Sequence, residues 1–210
     1  MNPFFLKVSQ WAVFLYMRLG IAQFWYKLYQ LLWERASKKR PLRRFDDLGT
    51  LVRYMRDMKW RADTWRQLFD AVSSPQAVQY LADTEPGHFI GDCDEFGVYQ
   101  AAVINNELID NPRWSGLSLM HCKLLTVMWY KVGGEEWEGN RKGFGGHNVC
   151  LLRYVDGTFA YMDYGWPSTR RDTIQEVVED VRKRYAQAYL PLGWATSDPL
   201  SLRVVEAQRT

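Results

Sequence analysis

The sequence predicts an α+β protein in which helices precede an antiparallel sheet. Helical apolar periodicity dominates as far as the stop signal Asn111-Pro112, and runs of strand-forming residues follow it, two of them joined by the turn signal Asp156-Gly157. Helices that come before strands, instead of alternating with them, are typical of α+β folds. A chain of 210 residues, 47% of them hydrophobic, is long enough for one main domain and an additional helical segment.

A long apolar and aromatic helix is predicted from Phe4 to Trp33, and we assign residues 1–45 to this helix and its basic flank. Arg18 interrupts the apolar run before it reaches the ~20 residues that span a bilayer, so no transmembrane helix is predicted. Basic residues follow the run instead of preceding it, which argues against a cleaved signal peptide. These residues are Arg35, Lys38, Lys39, Arg40, Arg43 and Arg44.

Three arrangements of this amphipathic helix fit the sequence. It lies on a membrane surface with its basic flank on anionic lipid, it packs on a protein partner, or it completes the core of its own domain. Residues 1–44 are therefore a candidate contact for a membrane surface or a protein partner. The net charge of +3 is too small to predict a nucleic-acid partner.

Residues 46–210 are predicted to form the main domain. We expect helices at 46–58, at 64–72, after Ser74-Pro75 and from Cys93 to Asn111, followed by strands at 116–132, 147–155 and 158–165 and by a charged helix at about 171–189. The segment at 84–91, which contains proline and glycine, is predicted to be a loop.

The stretch "GDCDEFG" places a cysteine at the start of a helix, with Asp92 as the predicted N-cap. A helix N-terminus lowers the pKa of a thiol, because its unpaired N–H groups carry partial positive charge, and the thiolate is the nucleophilic form. The carboxylates of Asp94 and Glu95 oppose this effect on Cys93. A cation is therefore needed beside the thiol, and His147 is the best candidate.

A cysteine, a histidine and an acid in this chain order are typical of sites in which imidazole takes the thiol proton and a carboxylate orients the imidazole. Asp163 is the candidate acid. It shares a face of its hairpin with His147 if the hairpin loop has three residues and ends at a left-handed Gly157, so that Tyr154 faces Thr158. A two-residue turn would place the imidazole and the carboxylate on opposite faces. A type I turn followed by glycine suits this sequence, so the proposed pairing predicts the three-residue loop.

The other two cysteines, Cys122 and Cys150, lie inside apolar strands and are predicted to fill the core, with Cys150 facing away from His147. Three cysteines at wide spacing predict neither a disulfide framework nor a paired metal motif, and a zinc site at Cys93, His147 and Cys150 is not expected. We therefore expect no metal and no cofactor.

Three further residues near these motifs, Gly91, His88 and Trp166, are candidates to line a cleft. His88 lies in the loop before Cys93, and Gly91 allows another chain to approach the sulfur closely. Trp166 follows the candidate acid and is a possible wall of the cleft, although packing is the usual role of a tryptophan. His121 is a possible accessory residue.

Three motifs, "GDCDEFG", "GGHNVCLL" and "YMDYG", occur in the order found in the transglutaminase-like cysteine peptidases, and the chain resembles small phage-encoded members of that group. The resemblance covers roughly residues 60–166, with catalytic motifs at 91–166, and does not include the N-terminal helix. It implies a papain/transglutaminase-like core in which the nucleophile-bearing helix packs on an antiparallel sheet. It also implies Cys93 as nucleophile, His147 as general base and acid, and Asp163 as the orienting group.

The function implied by the resemblance is thiol-dependent acyl transfer on an amide or peptide bond of a protein or peptide substrate. Hydrolysis and transamidation both remain open. The alternative is a catalytically silent fold that acts as a binding or structural module, for example in a phage virion. The resemblance to phage-encoded proteins implies a location in the cytoplasm of a bacterial host or in the virion. Gln76, Gln79 and Tyr80 are candidate side chains for an oxyanion hole.

Overall fold

A computed structural model of the chain describes residues 3–18, 41–60, 72–84, 89–132, 143–185 and 188–210. Its helices are α1 (Pro3–Arg18), α2 (Leu48–Asp57), α3 (Pro75–Thr84), α4 (Cys93–Asp110) and α5 (Ile174–Tyr185), with a 3-10 helix at Pro112–Leu117. Its strands are β1 (Lys59–Trp60), β2 (Phe89–Gly91), β3 (Leu119–Lys131), β4 (Gly143–Tyr154), β5 (Phe159–Asp163), β6 (Trp166–Pro167), β7 (Tyr189–Ser197) and β8 (Val204–Arg209). None of the described helices has both the length and the apolar character that a bilayer crossing requires.

A six-stranded sheet in the order β6-β5-β4-β3-β7-β8 forms the centre of the fold. Every neighbouring pair of strands in this sheet is antiparallel. The short strands β1 and β2 form a separate parallel pair. Since α1 to α4 all precede the sheet strands in the chain, the predicted α+β class is confirmed.

The two faces of the sheet are covered by different helices. Helix α4 covers one face, where Phe96 packs in a buried cluster with Cys150 and Leu152 of β4. Helix α5 covers the other face, where Val178 packs in a second cluster with Val149 of β4. Successive side chains of a strand point to opposite faces, so β4 is apolar on both sides and is buried in the centre of the domain.

The helix that carries the candidate nucleophile begins and ends as predicted. It starts at Cys93, and Asn111 caps its C-terminal end directly before Pro112. Asp92 is the N-cap: its carboxylate accepts from the Asp94 amide at 3.1 Å, and the Glu95 carboxylate accepts from the Asp92 amide at 3.1 Å. The Asp92 carboxylate also accepts from the Glu95 amide, which completes a capping box and fixes the position of the first helical turn.

Some of the predicted boundaries are wrong. Strand β4 begins at Gly143 and not at His147, because the glycine-rich segment before the histidine already pairs with β3. The predicted loop at 84–91 ends as strand β2, which pairs with β1. The predicted C-terminal helix extends only to Tyr185, and the chain is in β7 from Tyr189 onward. Strands β7 and β8 were not predicted, and they complete one side of the sheet.

Helix α1 packs on β7 and β8. The Gln10 amide donates to the Pro191 carbonyl at 3.0 Å, and the Arg209 guanidinium lies 4.3 Å from the centre of the Trp11 ring. Met17 is 7% exposed. Part of the N-terminal helix therefore belongs to the folded domain, in agreement with one of the three predicted arrangements. The predicted continuation of this helix to Trp33, and the helix expected at 64–72 apart from its last residue, lie outside the described residues.

The β4–β5 hairpin has the predicted register. The Gly157 amide donates to the Tyr154 carbonyl at 3.1 Å, and the Tyr154 amide donates to the Thr158 carbonyl at 3.0 Å. Gly157 has a φ of +88°, in the left-handed region. Because Cys150 pairs with Met162, the same register brings the side chains of residues 147 and 163 to one face of the hairpin.

We expect Gly157→Ala to lower the free energy of unfolding by ~1–2 kcal/mol, because an L-residue is strained in the left-handed region. Gly116→Ala is the matched control, since an added methyl group meets nothing within 4 Å at either position and Gly116 does not have a positive φ. Urea denaturation of both variants measures the difference. Equal stability of the two variants would contradict the role assigned to the loop.

Candidate active site

The structure joins His147 and Asp163 in a buried pair. Nε2 of the imidazole lies 2.9 Å from Oδ1 of the carboxylate. Both residues are 4% exposed. A carboxylate only accepts hydrogen bonds, so Nε2 carries the proton of this bond, and Nδ1 is the ring nitrogen left to accept a proton. The pair therefore has the orientation that a carboxylate imposes on a general base.

Tyr185, at the end of α5, holds this pair in place. Its hydroxyl donates to the second carboxylate oxygen of Asp163. Its ring lies over the imidazole of His147, with 3.8 Å between the ring centres and 31° between the planes. Burial, followed by the bond to Asp163, raises the pKa of Tyr185, so the hydroxyl keeps its proton and remains a donor. The Arg184 guanidinium adds positive charge 3.8 Å from the same carboxylate oxygen.

Cys93 is half-buried at the start of α4. Its thiol donates to Oδ1 of Asp94 at 3.5 Å, and the same oxygen accepts from the side-chain amide of Asn148. The carboxylate of Glu95 instead bonds to the amides of Ser73 and Asp92. Of the two carboxylates predicted to oppose the thiolate, Asp94 is therefore the one in contact with the sulfur. Among the described residues, no hydrogen bond joins Cys93 to His147.

The thiol and the imidazole belong to opposite faces of the sheet. His147 pairs with Val127, which lies in the cluster under α5, whereas Cys93 belongs to the helix that covers the other face. The paired part of β4 and β5 extends over residues 150–153 of β4, so the two strands are no longer paired beside His147. The two faces therefore meet at this edge of β4.

Tyr164 occupies this edge of β4. Its ring centre lies 4.9 Å from that of Phe96, in the first turn of α4, and 5.6 Å from that of His147. Burial, and then the negative charge of a Cys93 thiolate, raise the pKa of Tyr164. The same tyrosine is therefore next to the helix start on one side and to the imidazole on the other.

Gln100 of α4 fixes the turn that follows Asp163. In the amide orientation that satisfies both partners, its oxygen accepts from the Gly165 amide at 2.8 Å and its nitrogen donates to the Met162 carbonyl at 3.2 Å. Gln100 is fully buried. The helix of the candidate nucleophile is thus bonded directly to the strand end that carries the candidate acid.

The structure describes two of the three candidate cleft residues, Gly91 and Trp166. Gly91 has a φ of +150°, and a Cβ there would lie 2.5 Å from Cγ of Glu95, so this glycine makes room for the capping box. Trp166 pairs with Asp163 in the β5–β6 hairpin, is 56% exposed, and lies 3.5 Å from the Arg56 guanidinium. His88 lies outside the described residues.

Gln79, one of the candidate side chains for an oxyanion hole, is buried and bonds to the segment before α2. Its nitrogen donates to the Pro41 carbonyl at 3.2 Å, and its oxygen accepts from the Arg43 amide. The amide of Asp94 and that of the next residue donate to the Asp92 carboxylate. Two amides of the first turn of α4 are therefore bonded to the helix cap.

The two other cysteines are buried, as predicted. Cys122 and Cys150 are 1% and 0% exposed, and burial raises the pKa of the Cys122 thiol well above its usual value. Asp92, Cys93 and Asp94 offer three possible metal ligands within 4.8 Å of one another. Both carboxylates already accept hydrogen bonds from the protein, so we assign no metal to this cluster.

In comparisons with known proteins, no family model, no curated protein and no solved structure matches this chain. A family is therefore not assigned. The resemblance to transglutaminase-like peptidases rests on the three sequence motifs.

We expect Tyr185→Phe to lower the free energy of unfolding by ~1–3 kcal/mol, because it removes a donor from a buried carboxylate. Tyr189→Phe is the matched control, since its hydroxyl also donates to a carboxylate. The carboxylate in the control is Glu179, whose side chain is 44% exposed against 3% for Asp163. Water replaces the lost donor there, so chemical denaturation should show a smaller loss. An equal or larger loss in the control would contradict the role of Tyr185 in holding the buried pair.

Proposed function

We propose that the protein is a thiol-dependent acyl-transfer enzyme of the transglutaminase-like cysteine peptidase type, acting on amide or peptide bonds. The observation that carries this proposal is the buried hydrogen bond between His147 and Asp163. Such a pair next to the start of a helix that carries an accessible cysteine supports nucleophilic catalysis by Cys93. The papain/transglutaminase-like core is part of the same proposal.

The first half of the proposed reaction forms a thioester. The thiol of Cys93 gives its proton to Nδ1 of His147, and the thiolate attacks the carbonyl carbon of the substrate. The backbone amide of Cys93 donates to the oxyanion that develops. Collapse of this intermediate breaks the carbon–nitrogen bond, and the imidazolium gives its proton to the leaving amine.

The second half transfers the acyl group from sulfur. A water molecule or a second amine gives a proton to His147 and attacks the thioester carbon, and the sulfur leaves as a thiolate that regains a proton. Water gives a carboxylic acid, as in a peptidase or amidase, whereas an amine gives a new amide, as in a transglutaminase. Both routes use the same residues, and the His147–Asp163 bond holds the imidazole in the same orientation in each.

Asp94 holds the thiol in a resting state in this proposal. A carboxylate in contact with the sulfur stabilises the neutral thiol and opposes the thiolate. Attack therefore requires the sulfur to turn away from Asp94 toward Nδ1 of His147 at the edge of β4.

Cys93 should be the one cysteine that iodoacetamide alkylates in the folded protein at neutral pH, because Cys122 and Cys150 are buried. We expect His147→Gln to slow this alkylation by about tenfold or more, since the base is removed. We expect Asp94→Asn to accelerate the alkylation several-fold, because it removes a negative charge that opposes the thiolate. Intact-mass spectrometry over time measures all three rates.

Cys93→Ser is the control for the labelling site, and alkylation of the unfolded chain confirms that all three thiols react when accessible. Labelling of Cys93 at the same rate with and without His147 would contradict the catalytic proposal and favour a structural or binding module. A stable acyl adduct on Cys93 after incubation with peptide esters would support the enzyme.

We further propose that α1 contacts an anionic membrane surface, in the bacterial host cell or in a phage particle. Phe5 and Val8 are 62% and 48% exposed, and two cations of the helix, Lys7 and Arg18, are exposed as well. An exposed aromatic side with cations beside it is typical of interfacial helices. Arg43 of the predicted basic flank instead pairs with Asp83 at 3.4 Å, and Arg44 with Glu107 at 3.7 Å.

The double variant Phe5→Ser and Val8→Ser should bind several-fold less to phosphatidylserine vesicles than the original chain. Burial in the bilayer stabilises binding by ~0.8 kcal/mol for each methylene group, and the variant loses several such groups. Leu200→Ser is the matched control, because Leu200 is 58% exposed at a site away from α1. Vesicle sedimentation at low and high salt measures the binding. Equal binding by the double variant and the control would reject the membrane contact.

A further inference from the structure

A cavity of about 240 Å³ lies on the sheet face that α5 covers, at the end where this helix begins. Side chains of β3, β4, β7 and β8 line it, together with Ile174 from the first turn of α5. Arg153, on its wall, is six residues from His147 along β4, which corresponds to about 20 Å of strand. The cavity is therefore separate from the candidate active site and does not depend on the proposed function.

Three basic side chains meet at this cavity. His121 faces Arg153 directly in the β3–β4 register, and Lys123 lies two residues farther along the same face. Burial, followed by the charges of Lys123 and Arg153, lowers the pKa of His121. The lowered pKa leaves His121 uncharged near neutral pH, so Lys123 and Arg153 supply the positive charge of the cavity.

The protein supplies little negative charge to balance this group. Within the described part of the chain, no ion pair involves Lys123 or Arg153. Glu206 is the one carboxylate on the cavity wall, and it accepts from the Gln208 amide at 3.3 Å. The cavity wall therefore carries net positive charge, since two cations and a histidine face one carboxylate.

Thr196 provides a second, independent observation. It lines the cavity, is 1% exposed, and its hydroxyl has no hydrogen-bond partner among the described residues. A buried hydroxyl without a partner costs free energy and is rare in folded proteins. The Thr196 hydroxyl would gain a partner if an anion bound in the cavity and accepted its hydrogen bond.

We propose that this cavity binds a small organic anion through a phosphate or carboxylate group. The Arg153 guanidinium and the Lys123 ammonium neutralise the oxyanion, and the Thr196 hydroxyl donates to it. The ring of Phe159, which also lines the cavity, packs against the apolar part of the ligand. The cavity is slightly smaller than the ~300–1,000 Å³ of typical ligand pockets, which limits the ligand to a small molecule.

Isothermal titration calorimetry of the full chain at constant ionic strength tests this proposal with three probes of similar size: phenyl phosphate, benzoate and benzyl alcohol. We expect saturable one-to-one binding of at least one anionic probe and none of the neutral alcohol. The tighter of the two anions identifies the head group. Absence of binding by both anions, or equal binding of benzyl alcohol, would overturn the proposal.

Arg153→Gln and Thr196→Val should each weaken the binding of the anionic probe by about tenfold or more, as expected for the loss of a charge-assisted contact. Thr196→Val should fold at least as stably as the original chain, because it removes a hydroxyl that has no partner. Arg113→Gln is the matched control, because it also removes one positive charge. Its guanidinium lies 3.0 Å from the Asp46 carboxylate in an exposed ion pair outside the cavity. Unchanged affinity in Arg153→Gln, or an equal loss in the control, would overturn the assignment.

Discussion

The register of one hairpin controls the candidate active site. His147 and Asp163 lie in different strands, and their side chains share a face because three residues, ending at Gly157, connect β4 to β5. A shift of one residue would move the Asp163 carboxylate to the opposite face and leave the imidazole without its partner. The left-handed Gly157 therefore supports the pairing of His147 with Asp163, although it lies at the other end of the hairpin.

The packing of the core and the chemistry of the site use the same elements. Helix α5 buries its valines on one face of the sheet, and the same packing brings Tyr185 onto the imidazole and the carboxylate. Helix α4 covers the other face and bonds to the turn after Asp163 through Gln100. The position of the His147–Asp163 pair is thus set from both sides of the sheet.

The sequence predicted the parts of this structure that depend on local signals. The start of α4 follows from its cap, and the burial of Cys122 and Cys150 follows from their apolar neighbours. The hairpin register follows from the turn residues together with the requirement that His147 and Asp163 share a face. The pairing of β7 with β3 could not be predicted, because it joins segments far apart in the chain. Tyr185 and Thr196 gave no signal for the same reason, since each acquires its role only when distant elements pack together.

Asp94, which contacts the Cys93 thiol, and His147, its proposed base, have opposite effects on the thiolate. A thiol is a weak hydrogen-bond donor, so its contact with Asp94 is easily given up, but the negative charge of Asp94 penalises the thiolate as long as the two remain close. The His147 imidazole would instead stabilise the thiolate. Proton transfer would leave an ion pair of thiolate and imidazolium, and this pair would gain strength when substrate excludes water. Asn148 donates to the same oxygen of Asp94, so the negative charge that the sulfur meets is shared with a second donor. Since both partners act on one sulfur at the edge of β4, a displacement of that atom around the strand edge would change a resting thiol into a nucleophile without any change in the fold.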